Sequence, residues 1–128
     1  MNLKFVAKFT ILLTVLLTSN IDVASASSDN KIKVTYKKDP NTAAITRSLE
    51  CSPAKGNYSN SAAICKKLLK ITDPFKKPAV DEICSEIFGG ESSAKVVGKW
   101  RGKKVNQIYS LNNGCEIARW KNLEFLFY

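Results

Sequence analysis

Lys95-Val-Val-Gly-Lys-Trp-Arg-Gly-Lys-Lys-Val-Asn-Gln-Ile-Tyr-Ser-Leu111 contains two strand-like runs, Lys95 to Trp100 and Lys104 to Leu111, around Arg101-Gly102-Lys103. Glycine in a tight connection between runs rich in β-branched and aromatic residues predicts a hairpin. Trp100, beside the turn, is expected to cover the sheet. Downstream, Asn112-Asn113-Gly114 positions Cys115, a short turn is expected through Glu116 to Trp120, and Leu123-Glu-Phe-Leu-Phe127 reads as a last strand.

Upstream of the hairpin lies Cys84-Ser-Glu-Ile-Phe-Gly-Gly-Glu-Ser-Ser93, with a cysteine at one end and Gly89-Gly90 near the other. Ile87 and Phe88 are apolar in a stretch otherwise suited to solvent. Local pattern allows two readings, a presented loop or an ordinary strand packed on the core. Pro74 and Pro78 interrupt helix, so Thr72 to Ile83 is expected to be loop with at most a turn around Ala79 to Ile83. Before it, Ala62, Cys65, Leu68 and Leu69 recur at helical spacing with Lys66, Lys67 and Lys70 outside, capped by Ser59 or Ser61.

The remaining elements are earlier still. Lys31 to Lys37 alternates, with Ile32, Val34 and Tyr36 on one face, as a half-buried strand should. Asp39-Pro40-Asn41 turns the chain, Ala43 to Glu50 returns as a second strand, and Cys51 precedes a loop through Pro53 and Gly56. About five mostly antiparallel strands with one substantial helix make an α+β domain.

Residues 1–26 have the pattern of a signal peptide. Lys4 and Lys8 lead into the apolar run Phe9 to Leu17, too short to span a bilayer, and Ala24-Ser25-Ala26 supplies the small-x-small cleavage pattern. Cleavage after Ala26 leaves Ser27 to Tyr128 as one secreted domain, extracellular or periplasmic, with no membrane span. In an oxidising compartment the even set Cys51, Cys65, Cys84 and Cys115 should form two disulfides. Three pairings are possible; sequence proximity favours Cys51 with Cys65 and Cys84 with Cys115.

Composition narrows the function. Residues 27–128 carry 18 Lys+Arg against 10 Asp+Glu, mostly as dispersed lysines. Such lysines read as a solvated surface or as attraction to an acidic partner or anionic envelope, not as the arginine-rich, aromatic-interleaved block of a nucleic-acid binder. The chain has no histidine and its cysteines lack C-x-x-C spacing, which argues against a metal site. Without histidine there is no Ser-His or Cys-His pair. The carboxylates Asp81, Glu82, Glu86 and Glu91 match no acid–base spacing, and no glycine loop cradles phosphate. Neither catalysis nor a cofactor is expected.

Taken together, Leu49-Glu50-Cys51-Ser52-Pro53, Ala63-Ile64-Cys65, Cys84 before its loop, Gly98-Lys-Trp100-Arg-Gly102, Asn113-Gly-Cys115-Glu116 and Phe125-Leu-Phe127 resemble the subtilisin inhibitor-like family of secreted serine-protease inhibitors. The resemblance implies a five-stranded antiparallel sheet with one main and one short helix, usually homodimeric, with Cys51 bridged to Cys65 and Cys84 to Cys115. It implies an extracellular serine protease, subtilisin-like or glutamate-specific, as partner. The reactive bond would be Glu86-Ile87, within the loop Cys84, Ser85, Glu86, Ile87 and Phe88, with Asn113 bracing the loop from behind. Family members commonly place lysine, arginine, methionine or another large apolar residue where this chain has Glu86. That points to a glutamate-specific protease, or to a secreted cationic domain that keeps the fold without inhibiting. Gly89-Gly90 stands where a stiffer Asp-Pro is common, in a segment one residue longer, which predicts a looser loop.

Overall fold

The computed structural model describes residues 28–128; the expected signal peptide lies outside them. Five strands, β1 (Lys31–Lys37), β2 (Ile45–Cys51), β3 (Ala54–Gly56), β4 (Ser93–Trp100) and β5 (Lys103–Tyr109), form one sheet in the order β3-β2-β1-β4-β5. Every neighbouring pair is antiparallel. The two helices are α1 (Ser61–Leu69) and α2 (Gly114–Leu123), the latter followed by a 3-10 turn over Glu124–Leu126.

Side-chain alternation decides which face each strand buries. Ile32, Val34 and Tyr36 of β1 point inward with Leu49 of β2, Ala94, Val96 and Trp100 of β4, and Val105 and Tyr109 of β5. Against them pack Cys65 and Leu68 of α1, Trp120 and Leu123 of α2, and Leu126 and Phe127 beyond it. Trp100 therefore covers the sheet, as expected, and meets Phe75 edge-on at 5.8 Å.

The hairpin turns at Arg101 (φ 48°) and Gly102 (φ 75°). Two successive positive φ values fit a connection that follows the sheet's own twist. Arg101 tolerates its conformation because its backbone N–H is held by Asn30 Oδ1 at 2.8 Å. Its guanidinium donates to the carbonyls of Leu69, Ile71 and Thr72, satisfying the end of α1. Within β4, Gly98 (φ +141°) lets β1 approach, since a Cβ there would lie 2.2 Å from the Lys31 carbonyl oxygen.

The structure corrects three expectations. The cap of α1 is Asn60, whose Oδ1 accepts from the Ala63 N–H at 3.0 Å, rather than Ser59 or Ser61. The Pro53/Gly56 loop contains the short edge strand β3, fixed to β2 by Asn57, whose Oδ1 accepts from the Ser48 N–H. The C-terminal run is not a strand. Trp120, Leu123, Leu126 and Phe127 are buried at helical spacing, so the expected short turn extends into a ten-residue helix and then a 3-10 turn. The fifth strand is thus β3, and α2 is slightly longer than the nine-residue α1.

Two tyrosines, Tyr109 buried and Tyr58 half-buried, make the fold sensitive to alkali. The Tyr58 hydroxyl donates to the Leu126 carbonyl at 2.9 Å, and the buried Tyr109 ring lies under Arg119, 4.5 Å from its guanidinium carbon. Burial pushes both phenols up to about 12, although Arg47 and Arg119 oppose the shift. In the unfolded chain they ionise near pH 10. The stabilisation is therefore complete below about pH 10 and lost as pH rises through about 12, because the unfolded state then releases protons that the folded state retains. Urea-unfolding midpoints should fall between pH 10 and 12, and should fall less in a Tyr58→Phe, Tyr109→Phe variant.

Candidate functional site

The segment after α1 is anchored by the buried ring of Phe75 and then runs through solvent, with Val80 and Ile83 fully exposed, until Cys84. There the chain is fastened. Cys84 is bonded to Cys115, with Cα atoms 5.4 Å apart, and Cys51 to Cys65 at 5.5 Å, which is the expected pairing. The first bridge ties the loop to the opening turn of α2; the second ties α1 to the end of β2.

Next to the disulfide, the Ser85 carbonyl accepts from the Gly114 N–H at 2.9 Å. The approach is close enough that a Cβ on Gly114 would meet Ser85 Oγ. At the other end, the Gly89 N–H donates to the Leu111 carbonyl at 2.7 Å. A Cβ on Gly89 would stand only 3.0 Å from Ile117 Cδ1 and 3.3 Å from Leu111 Cβ. Gly89 is therefore a seat on the side chains below, not the flexible point that a Gly-Gly pair predicts. Only Gly90 (φ +134°) uses glycine's conformational freedom.

Between these anchors, Glu86, Ile87 and Phe88 are all exposed, Ile87 by 58% and Phe88 by 66%. Of the two readings open at the level of sequence, the packed strand is excluded and the presented segment holds. Among the described residues, none of the backbone groups of Glu86 to Phe88 is hydrogen-bonded to the rest of the fold. Unpaired backbone beside exposed side chains is what an added strand on another protein requires.

Asn113 sits at the base of this arrangement but does not bond to the loop. Its Oδ1 accepts from the Glu116 N–H at 2.9 Å, making it the N-cap of α2. Its influence is indirect, since the cap fixes where α2 starts and so where Gly114 and Cys115 meet the loop. Arg119 secures that helix to β5, pairing with Glu116 at 2.7 Å and donating to Gln107 Oε1 at 3.2 Å. Ile117 and Arg119 were not singled out in the sequence because reading α2 as a short turn left its faces undefined.

Glu82, Cys84 and Cys115 are close enough to suggest a metal site, but the two sulfurs are bonded to each other and offer no thiolate. Among the described residues no helix is long and apolar enough to cross a membrane.

A small α+β sheet that holds three exposed residues between a disulfide and a backbone anchor defines a loop-presenting domain. The family described as subtilisin inhibitor-like matches residues 26–113, and the chain belongs to that family, one of inhibitors rather than enzymes. A curated relative named Subtilisin inhibitor, from Streptomyces violaceus, is 32% identical over 82 residues, covering 59% of this chain. The match spans 56% of that relative's length. The crystal structure of Streptomyces caespitosus sermetstatin in complex with Bacillus licheniformis subtilisin matches with a TM-score of 0.43 and 18% identity, over 74% of this chain and 92% of that one.

Proposed function

We propose that this chain is a secreted serine-protease inhibitor that presents Glu86-Ile87 as a substrate-like bond, with Cys84, Ser85, Ile87 and Phe88 lying along the protease's binding edge. The observation that carries the reading is the exposed Glu86-Ile87-Phe88 segment with unpaired backbone, clamped on one side by Cys84–Cys115 and Ser85–Gly114 and on the other by Gly89–Leu111. A loop held this way loses little conformational entropy on docking, and after cleavage its ends stay close, so the bond is bound tightly and hydrolysed slowly. Family membership supports the same class of activity.

Glu86 occupies the position that fills the specificity pocket, so the expected target is a serine protease that accepts glutamate. The test is titration of the mature protein against glutamate-specific, subtilisin-like and trypsin-like serine proteases, with the products examined for cleavage between Glu86 and Ile87. Inhibition strongest against the glutamate-specific enzyme is expected. Rapid cleavage at that bond without inhibition would contradict the reading. Export belongs to the same proposal and is tested by N-terminal sequencing of the released protein, which should begin at Ser27. The homodimer implied by the resemblance is tested by sedimentation equilibrium.

A further inference from the structure

Among the described residues, four buried side-chain polar atoms have no hydrogen-bond partner, and three of them belong to residues that line one groove: Trp100 Nε1, Tyr109 Oη and Arg119 Nε. The groove lies on the helix side of the sheet, because Lys103, Val105, Gln107 and Tyr109 alternate onto the inner face of β5. Its outer wall is the segment that leaves α1. Phe75 is buried against Trp100, and the Lys76 N–H closes a turn on the Asp73 carbonyl at 3.4 Å, which sets Lys76 and Lys77 beside the groove. Two cavities, of about 460 and about 450 Å³, adjoin at Asp73, Lys76 and Lys77 to make it.

Five cations line the first cavity, Lys76, Lys77, Arg101, Lys103 and Lys104, against one carboxylate, Asp73. The second cavity adds Arg119 and Glu82. None of the five is ion-paired among the described residues, and the Arg101 guanidinium is bonded only to neutral carbonyls. Lysines beside an edge strand guard it against pairing with another chain, which accounts for Lys103 and Lys104. It accounts neither for Lys76 and Lys77 on the opposite wall nor for the donors beneath them. Buried donors are nearly always paired, because leaving one unpaired costs stability. Trp100 is 4% exposed and Tyr109 1%, so bulk water does not serve them. Three such groups beside one cationic groove point to an acceptor that enters it.

We infer that this groove binds an anion built of linked phosphate groups. The inference does not depend on whether the loop inhibits a protease. The unpartnered groups are spread along the groove, with Trp100 in one cavity and Tyr109 and Arg119 in the other, so the ligand has to be elongated. Each cavity is in the size range of a small-molecule site, far larger than one oxyanion fills. A phosphate chain carries acceptors at every link and no donors of its own. It can therefore meet the ammonium groups of Lys76, Lys77 and Lys103 and the indole and guanidinium N–H groups together, through charge-assisted hydrogen bonds. A neutral glycan would bring hydroxyl donors into a groove already rich in donors, and would leave the five cations unpaired.

The test is an NMR titration of the ¹⁵N-labelled mature protein with short-chain inorganic polyphosphate and, separately, with poly(glycerol phosphate). The chain has two tryptophans, Trp100 and Trp120, so two indole N–H signals report the result. The Trp100 indole and the Arg119 Nε–H signals should shift with the ligand, while the Trp120 indole, outside the groove, stays in place. The tighter of the two polymers distinguishes a free phosphate chain from one carried by an envelope polymer. Binding should weaken steeply at 1 M salt, where screening acts over about 3 Å. The variant Lys76→Gln, Lys77→Gln, Lys103→Gln should bind about tenfold more weakly or worse, because three exposed charges are each worth up to about a factor of five. The variant Lys38→Gln, Lys66→Gln, Lys121→Gln removes the same charge elsewhere and should bind nearly as the parent does. Circular dichroism establishes that both are folded. No binding, shifts that leave Trp100 and Arg119 untouched, or equal losses in the two variants would each overturn the inference. So would tighter binding of an oligouronate, which would assign the groove to a carboxylated glycan.

Discussion

Replacing Cys84 and Cys115 together by serine is expected to weaken protease binding by more than about 100-fold while leaving the sheet folded. The two disulfides make the comparison sharp. The bridge between Cys84 and Cys115 closes 31 residues and that between Cys51 and Cys65 closes 14. By chain entropy they contribute about 3.7 and about 3.0 kcal/mol to stability, a difference too small to separate the two variants by unfolding alone. Their effects on binding should differ far more. Without the first bridge, the upstream anchor is reduced to the Gly114–Ser85 hydrogen bond, worth about 1 kcal/mol. The residues from Ser85 to Phe88 would then be ordered only on binding, at about 1–2 kcal/mol each for the backbone. Losing even half of that ordering in advance costs about 3 kcal/mol, or more than 100-fold in Kd. The variant Cys51→Ser, Cys65→Ser leaves both loop anchors in place and should inhibit almost normally wherever it is folded. Inhibition constants for both variants, measured well below their unfolding midpoints, decide the matter. Equal losses would mean that the loop is not held ready by its disulfide. The first variant should also be cleaved faster between Glu86 and Ile87, because the released end would separate from the site.

The sheet was legible because strands report their faces every second residue. Ile32, Val34 and Tyr36 mark one face of β1, and the Trp-x-Gly turn marks the β4–β5 hairpin, in the sequence as in the fold. The disulfide pairing was legible from proximity. What escaped were elements whose signal is shared with another structure. Leu123, Phe125 and Phe127 alternate as a strand would, yet the buried set is Leu123, Leu126 and Phe127, which continues the helical stripe begun at Trp120. Short apolar runs leave that ambiguity to tertiary packing. β3 is three exposed residues long and is defined by its pairing with β2, which no local pattern reports. At the site, the exposed loop and its disulfide were foreseen and the supports were not. Gly89 reads as a flexible residue, but it packs closely on the Ile117 side chain beneath it, and Ile117 comes into view only once α2 is a full helix. Asn113 was expected to hold the loop and instead holds the helix on which the loop rests.

Changing Glu86 to lysine or methionine should redirect protease binding without disturbing the fold. The Glu86 side chain is exposed and makes neither a hydrogen bond nor an ion pair among the described residues, so its replacement removes no internal contact. Both anchors act through neighbouring residues, Cys84 and Ser85 before it and Gly89 after it, and should survive the change. The binding term changes sign instead. A carboxylate forced into an apolar pocket is an unpaired buried charge, and one facing the aspartate of a trypsin-like pocket is also repelled. Lysine turns that repulsion into a pair, and methionine fills an apolar pocket without a charge to desolvate. Glu86→Lys should therefore gain at least about 100-fold against a trypsin-like enzyme, and Glu86→Met a comparable factor against a subtilisin-like one, each roughly 3 kcal/mol. Both should lose affinity for a glutamate-specific protease, while urea-unfolding midpoints stay close to the parent's. If neither variant inhibits any of the three enzymes, the loop is not a protease-binding element. If both inhibit and the parent does not, the scaffold is competent, and the glutamate alone confines the chain to a protease whose pocket supplies a positive charge.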